Sequence, residues 1–161
     1  MSYRSALYAG FLSAFLSTVA HAQQEPFGQN IGVWKFTQAP DKAKVVCRAF
    51  SPGPFGVNII GRTGAGKFYV SVPAQGIPKG MYEGADLAIG GQHEPLTATS
   101  DGSRFVLPVD DQQIARIIRA RGYQWAAMVR GQRRSGAAAF DSSVGAAVKR
   151  LRECTKANGG R

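Results

Sequence analysis

The chain has 161 residues, which is enough for one domain and too few for several. Its 20 Lys and Arg against 10 Asp and Glu give a formal net charge of +10 at pH 7. An excess of positive charge favours binding to acidic or anionic partners. With only two histidines and two cysteines, the composition argues against a catalytic transition-metal site, which needs three or four such ligands.

The first 22 residues have the pattern of a cleavable secretory signal peptide. Arg4 supplies a positive charge ahead of an uncharged, mostly apolar run over residues 5–20. An Ala-x-Ala site at residues 20–22 then matches the small-residue preference of signal peptidase. A transmembrane anchor is the alternative, but the run is shorter than the roughly 20 residues of a spanning helix. We therefore expect a mature protein that begins at Gln23 and is periplasmic or secreted.

This pattern divides the chain into four segments. They are a signal peptide (1–22), a flexible N-terminal arm (23–30), a single β-rich domain (31–155) and a frayed basic tail (156–161). The positive charge concentrates late, because residues 104–161 hold 12 basic and 4 acidic side chains whereas residues 23–103 hold 7 and 6. The alternative to a basic binding surface is a charge that only keeps the protein in solution.

The first part of the domain is predicted to be an antiparallel sheet. Runs typical of strands lie at residues 33–37, 44–50, 57–60, 67–72, 86–89, 96–99 and 104–107. Residues 73–84 hold two prolines and three glycines, which predicts a loop. The Ser-Asp-Gly-Ser sequence at 100–103 predicts a hairpin turn between the last two runs.

Two helices are predicted late in the chain. The first opens at Asp110-Asp111, where acidic residues suit the positive end of the helix, and ends before Gly122. A strand (123–129), a basic loop (130–136) and a return strand (137–140) follow. The apolar residues of the last helix repeat at i, i+3, i+4 and i+7, at Val144, Ala147, Val148 and Leu151. The expected fold class is α+β: a mostly antiparallel sheet, curled or sandwich-like, with two late helices.

Cys47 and Cys154 are the two cysteines of the chain. In an oxidising compartment an even pair is most simply a disulfide, which here would tie the last helix to the sheet. The alternative is one reactive thiol assisted by His93, the single histidine of the mature chain.

Residues 61–68 (GRTGAGKF) nearly match the nucleotide-binding P-loop. That motif needs a hydroxyl residue after its lysine and a helix that begins there. Phe68 takes the hydroxyl position and continues into a strand, so we interpret the segment as a glycine-rich hairpin turn. We expect no nucleotide and no other cofactor.

No catalytic constellation is evident in the sequence. His93 lies in a Gly-Gly-Gln-His-Glu-Pro segment, and no serine has the surroundings of a nucleophile elbow. We therefore expect no enzymatic activity. The alternative is a hydrolase of an envelope polymer that uses Glu94, Asp86 or His93 as acid or base.

The arginines of the C-terminal half are the best candidates for a binding site. Three lie on the first helix and three in the basic loop: Arg116, Arg119, Arg121, Arg130, Arg133 and Arg134. If they converge, they form a patch suited to phosphate or carboxylate groups; otherwise each is separately solvated. The sequence has no aromatic-interleaved nucleic-acid motif, so we expect an anionic envelope component or an acidic protein as partner.

One arrangement goes beyond composition. An early strand carries Trp34-Lys35-Phe36, Cys47 follows about a dozen residues later, and a helix of small residues over 140–154 (FDSSVGAAVKRLREC) ends in Cys154. This order resembles the invasion-associated locus B family of small bacterial periplasmic proteins. The resemblance implies a β-rich periplasmic fold with a disulfide, no enzymatic activity, and a link to host interaction or envelope function. It carries over the two cysteines as a pair and no binding residue.

The sequence thus predicts an exported, non-catalytic binding protein of the bacterial envelope whose basic C-terminal half contacts an anionic or acidic partner. An accessory structural subunit of an envelope complex is the main alternative. Stable co-purification with a partner favours the subunit, whereas salt-sensitive binding favours the basic surface.

The export prediction is tested by mass spectrometry of the intact protein recovered from its native host. We expect a chain that begins at Gln23 and is two hydrogens lighter than the reduced form, because Cys47 and Cys154 are joined. Treatment with a reductant is the control and should restore both hydrogens. An uncut N-terminus, or two free thiols before reduction, would contradict the prediction.

Overall fold

A computed structural model describes residues 24–41 and 44–160. The predicted signal peptide lies outside these residues. The described part of the chain forms ten strands and two helices. In chain order they are β1 (Glu25–Pro26), β2 (Lys35–Asp41), β3 (Lys44–Gly53), β4 (Gly56–Arg62), β5 (Phe68–Pro73), β6 (Gly80–Ile89), β7 (Gln92–Ser100), β8 (Arg104–Val109), α1 (Asp111–Ala120), β9 (Gly122–Val129), β10 (Gln132–Ala139) and α2 (Val144–Ala157).

The strands form one sheet in the order β1-β2-β3-β4-β5-β8-β7-β6-β9-β10, and each neighbouring pair is antiparallel. The predicted fold class, a mostly antiparallel sheet with two late helices, is confirmed. Neither helix in the described part of the chain has the length and apolar character needed to cross a membrane.

The core lies on one face of the sheet. A row of completely buried side chains crosses β3, β4, β5 and β8: Ala49, Ile60, Val70 and Leu107. Successive strand residues point to opposite faces, so their neighbours, such as Tyr69, lie on the outer face. The sheet curls around the core, because Phe105 on β8 reaches Trp125 on β9 across two intervening strands, with ring centroids 4.8 Å apart.

The two helices close this core. Ile114 and Ile117 of α1 are completely buried. The predicted apolar stripe of α2 is buried as well, and Cys154 continues it. The disulfide joins Cys154 to Cys47 on β3, with their Cα atoms 6.1 Å apart. It therefore ties the last helix to the sheet, as predicted.

Two predicted loops are partly strand. β6 begins at Gly80, inside the predicted loop 73–84, because residues 80–82 pair with 98–100 of β7. β10 begins at Gln132, inside the predicted basic loop 130–136, so the turn is only Arg130-Gly131. In both cases cross-strand hydrogen bonding overrides a local composition of Gly, Pro and charged residues that is unfavourable for strands.

The chain ends also carry more structure than the sequence pattern indicates. Part of the predicted arm forms β1, and the amide of Phe27 donates to the carbonyl of Phe36 at 3.0 Å. α2 continues to Ala157, and Asn158 donates to the Gln38 side chain at 2.9 Å. The N-terminal end thus pairs with β2 and the C-terminal end hydrogen-bonds to it, and local composition reveals neither contact.

Loss of the disulfide should strongly destabilise the fold. Cys47 and Cys154 are 107 residues apart in sequence, and cross-linking so long a loop restricts the unfolded chain. We expect a Cys47→Ala/Cys154→Ala variant to lose about 4–5 kcal/mol of unfolding free energy, measured by urea denaturation. A reductant should destabilise the wild-type protein similarly and leave the variant unaffected. Unchanged stability of the variant would contradict this account.

Candidate interaction surface

The β9–β10 hairpin carries three of the predicted arginines. Its turn is tight, because Arg130 and Gly131 both have positive φ angles, 50° and 77°. This is the geometry of a two-residue turn whose twist matches that of the flanking strands. Val129 and Gln132 pair directly across it. The hairpin therefore holds its arginines on a short, regular scaffold rather than on a loop.

The three hairpin arginines are exposed and point in different directions. Arg133 lies opposite Met128 on the outer face of the sheet, whereas Arg134 lies opposite Ala127, whose side chain belongs to the core face. Among the described residues, none of the three makes a salt bridge or a side-chain hydrogen bond. The tip of the hairpin thus presents positive charge that the described part of the fold leaves unneutralised.

The arginines around α1 are used differently. Arg116 is half-buried and donates to Gln92 at 2.6 Å and to the carboxylate of Glu94, with which it forms a salt bridge. Arg119 is exposed on the last turn, and Arg121 caps the helix in the left-handed conformation, with φ of 53°. Arg116 is therefore paired within the fold, and the convergence of all six arginines on one patch stays a prediction.

Other arginines hold strands or helices together. Arg104 donates to the carbonyls of Val57 and Ser71 at 2.6 and 2.7 Å, and Arg48 donates to the Tyr69 hydroxyl at 3.1 Å. Arg104 thus connects β8 to β5 and β4, and Arg48 connects β3 to β5. The hairpin arginines differ from them because they make no such contact within the described part of the chain.

An open groove runs along the outer face of β6, β9 and β10. It consists of two adjoining cavities of about 400 and 350 Å³ that share Ala88, His93, Gln124 and Ala137. Ala88, Ala126, Ala137 and Ala139 line it, and their short side chains leave the space that forms the groove. Arg121 lines one cavity and Arg133 the other. The groove therefore lies between one arginine of α1 and one of the hairpin.

His93 and Asp86 form a pair in the wall of the groove. The His93 Nδ1 atom lies 2.7 Å from an Asp86 carboxylate oxygen, and the His93 side chain is 63% exposed. Ser135 shares a cross-strand row with Asp86, but β9 separates them, which puts their backbones about 10 Å apart. Within the described residues no hydroxyl group is hydrogen-bonded to His93, so the pair has no neighbouring nucleophile in this arrangement.

Glu94 does not join that pair. Its carboxylate accepts from Gln113 of α1 at 2.6 Å and from Arg116. The hydrogen bond from Gln113 is the main cause that lowers the pKa of Glu94, and Arg116 lowers it further. A general acid needs a raised pKa, so this carboxyl is suited to positioning α1 against β7. The structure thus brings together two of the three predicted acid–base candidates and separates the third.

Residues 61–68 form the predicted hairpin turn between β4 and β5. The Thr63 amide donates to the Lys67 carbonyl at 2.9 Å, and the Gly66 amide donates to the Thr63 carbonyl at 2.8 Å. Phe68 is buried at the start of β5. The segment lacks the strand-to-helix transition on which phosphate binding by a P-loop depends.

Sequence reasoning missed a small cleft beside β10. Phe55, at the β3–β4 turn, is 66% exposed and lines this cleft together with Trp125 and Gly136. Phe55 lies in a Pro-Gly-Pro-Phe-Gly segment, whose composition indicates a turn and nothing more. The one feature of the sequence that could have indicated this cleft is the aromatic residue at the centre of a predicted turn.

Comparison with known proteins finds a likeness in structure only. No protein-family model matches the sequence. No curated protein matches it either. The crystal structure of invasion associated protein B from Bartonella henselae superposes with a TM-score of 0.53 at 14% identity, covering 85% of this chain and 99% of that one. The two proteins share a fold. The expectation of an invasion-associated protein B-like fold is thereby confirmed, and at this identity the likeness concerns the fold alone.

The environment of Glu94 makes a testable pH prediction. Because its folded pKa is lowered, Glu94 stabilises the fold above its ordinary pKa of 4.5, and this contribution is lost as the pH falls through the lowered value. We expect Arg116→Ala to move the Glu94 pKa upward, measured by NMR titration of its carboxyl carbon. Arg119→Ala is the matched control, since Arg119 is exposed on the same helix, and should not shift it. An unchanged Glu94 pKa in Arg116→Ala would count against the ion pair.

Proposed function

We propose that the chain is an exported, non-catalytic binding protein of the bacterial envelope, and that the β9–β10 hairpin contacts an anionic or acidic partner. The observation that carries the proposal is the group of three exposed arginines, Arg130, Arg133 and Arg134, on a two-residue hairpin. Each guanidinium can form two parallel hydrogen bonds with a carboxylate or phosphate.

The regularity of the hairpin supports this role. A tight turn between paired strands restricts the backbone before binding, so less conformational entropy is lost when a partner is bound. The arginines are also unpaired among the described residues, so binding does not first require an internal salt bridge to break. Arg121 and Arg133, at either end of the groove, extend the positive surface beyond the turn.

Two independent observations support export. The N-terminal pattern is that of a signal peptide, and the Cys47–Cys154 disulfide belongs to proteins of oxidising compartments. The fold shared with a protein described as invasion associated supports an envelope setting in bacteria. Periplasmic or secreted localisation is part of the proposal.

A non-catalytic role is supported by the geometry around His93. Its Asp86 partner is in place, but the exposed imidazole faces a groove floored by alanine side chains. Glu94, the other predicted acid–base candidate, is held by Gln113 and Arg116. These positions suit a recognition surface better than a site that transfers protons.

Charge reversal of the hairpin tests the proposal. We expect Arg130→Glu/Arg133→Glu/Arg134→Glu to weaken binding to heparin and to poly-glutamate by about tenfold or more, measured by surface plasmon resonance at low ionic strength. Added salt should weaken wild-type binding, because exposed charges are screened.

A matched control separates a local effect from one of net charge. Lys35→Glu/Lys149→Glu/Lys156→Glu changes the net charge equally, at three exposed positions on β2 and α2. This control should retain most of the binding. If both triple variants lose binding equally, the hairpin has no special role and the proposal is wrong.

A further inference from the structure

β10 is the last strand in the order of the sheet that the described residues form. Among the described residues its one ladder partner is β9. The Phe140 amide donates to the Arg121 carbonyl across that ladder at 2.8 Å. Because the direction of backbone groups alternates along a strand, the even-numbered residues of β10 also point toward β9. The amides and carbonyls that point away from β9 are those of Arg133, Ser135, Ala137 and Ala139.

The usual protections of an edge strand are missing along most of β10. Pairing with β9 continues without a bulge from Gln132 to Ala139, and the strand contains no proline. Charged residues occur only near its start, at Arg133 and Arg134. The stretch 135–139 (SGAAA) is small and uncharged, and three of its five residues are exposed. An edge of this kind is a template for a further strand.

A cleft of about 80 Å³ lies beside this edge. Phe55 and Trp125 give it an apolar lining, and Ser135 to Ala137 of β10 form one side. Asn58 also lines the cleft; it is 4% exposed, and its amide nitrogen has no hydrogen-bond partner among the described residues. The cleft therefore offers room for an apolar side chain next to the open backbone groups of β10.

Positive charge is concentrated at one end of this edge. Arg130, Arg133 and Arg134 lie at its start. Beyond its other end, Arg121 lies across the ladder on the β9 side and interacts with the carboxylate of Asp141. An extended segment along β10 would meet guanidinium groups beside the hairpin turn and neutral backbone farther along. Charge complementarity therefore favours a segment with carboxylate side chains near the terminus that lies beside the turn.

We infer that the free edge of β10 is a docking site for an extended, acidic segment of a partner protein, which adds to the sheet as a strand. The inference rests on the proposed function and specifies its partner. Backbone hydrogen bonds to Ser135, Ala137 and Ala139 hold the segment. The hairpin arginines select its acidic residues, and the cleft at Phe55 receives an apolar side chain.

A second copy of the chain fits the same edge less well. Each mature copy, with 19 basic and 10 acidic side chains, carries a formal net charge of +9, and pairing of two β10 edges would bring two sets of hairpin arginines together. Like charges without a partner oppose such association. Self-pairing is therefore an outcome that the experiment must detect.

The test uses two fluorescein-labelled peptides of about ten residues, the length of a long strand. The first alternates valine and threonine and carries glutamates at both ends. The second has the same glutamates but replaces the valines with prolines, which cannot donate to a ladder. We expect the mature protein to bind the first peptide about tenfold or more tightly than the second in fluorescence anisotropy. Hydrogen exchange of the Ser135, Ala137 and Ala139 amides should slow only with the first.

Two substitutions of Ala137 separate the contribution of backbone hydrogen bonds to peptide binding from that of the side chain. Ala137→Pro removes an outward amide that makes no bond to β9, so we expect the fold to be retained, checked by thermal unfolding. It should weaken binding of the first peptide about tenfold. Ala137→Thr keeps the amide and should bind like the wild type. If Ala137→Pro unfolds the protein, the exchange of the three amides in the wild type still decides the matter.

The outcomes separate this inference from the proposed function. Equal binding of both peptides, unaffected by Ala137→Pro, would overturn strand addition while leaving the basic surface in place. Loss of binding in Ala137→Pro together with unchanged binding after charge reversal of the three hairpin arginines would support strand addition, but it would overturn both the proposed function and the acidic character inferred for the segment. A dimer in sedimentation velocity that Ala137→Pro dissolves would assign the edge to a second copy and overturn the inference.

Discussion

The pairing of β9 with β6 is the contact on which the rest of the C-terminal half depends. It sets Leu87 opposite Trp125 and Ala88 opposite Gln124. In this register Trp125 faces inward and packs against Phe105, while Gln124 faces the groove. A shift of one residue would exchange these faces, since successive strand residues point in opposite directions. The position of the basic hairpin at the end of the sheet follows from the same pairing.

The disulfide and α2 act near the opposite end of the strand order, whereas α1 packs against β6 and β9. Cys154 and the stripe of α2 cover β3, where Cys47 lies, and Trp34 donates to Asp141 at 3.2 Å just before that helix begins. This arrangement ties the last helix to the early strands and leaves β10 at a margin of the sheet. The fold thus separates a covalently stabilised region from an edge with open backbone groups.

Several local features were predictable because neighbouring residues determine them. The apolar spacing in α2 and the Asp110 cap of α1 predict both helices, and Asp110 does accept from the Gln113 amide at 2.7 Å. Phe68, which replaces the hydroxyl residue of a P-loop, was sufficient to predict that residues 61–68 form a hairpin turn. The prediction of loops at 73–84 and 130–136 was wrong because strand formation there does not depend on neighbouring residues. It depends on pairing with another strand, which is β7 for the first segment and β9 for the second.

The charge asymmetry, the export pattern, the pairing of the two cysteines and the α+β class could be predicted from the sequence, because composition and short-range periodicity encode these properties. Which arginines are available depends instead on the contacts that the fold creates. Glu94 pairs with Arg116 across two elements, whereas Arg133 meets no acidic partner in the described fold. The fold also makes most of the predicted basic loop part of a strand at the edge of the sheet, whose outward backbone groups have no ladder partner among the described residues. These properties depend on which segments meet in space, and a residue's local sequence does not contain that information.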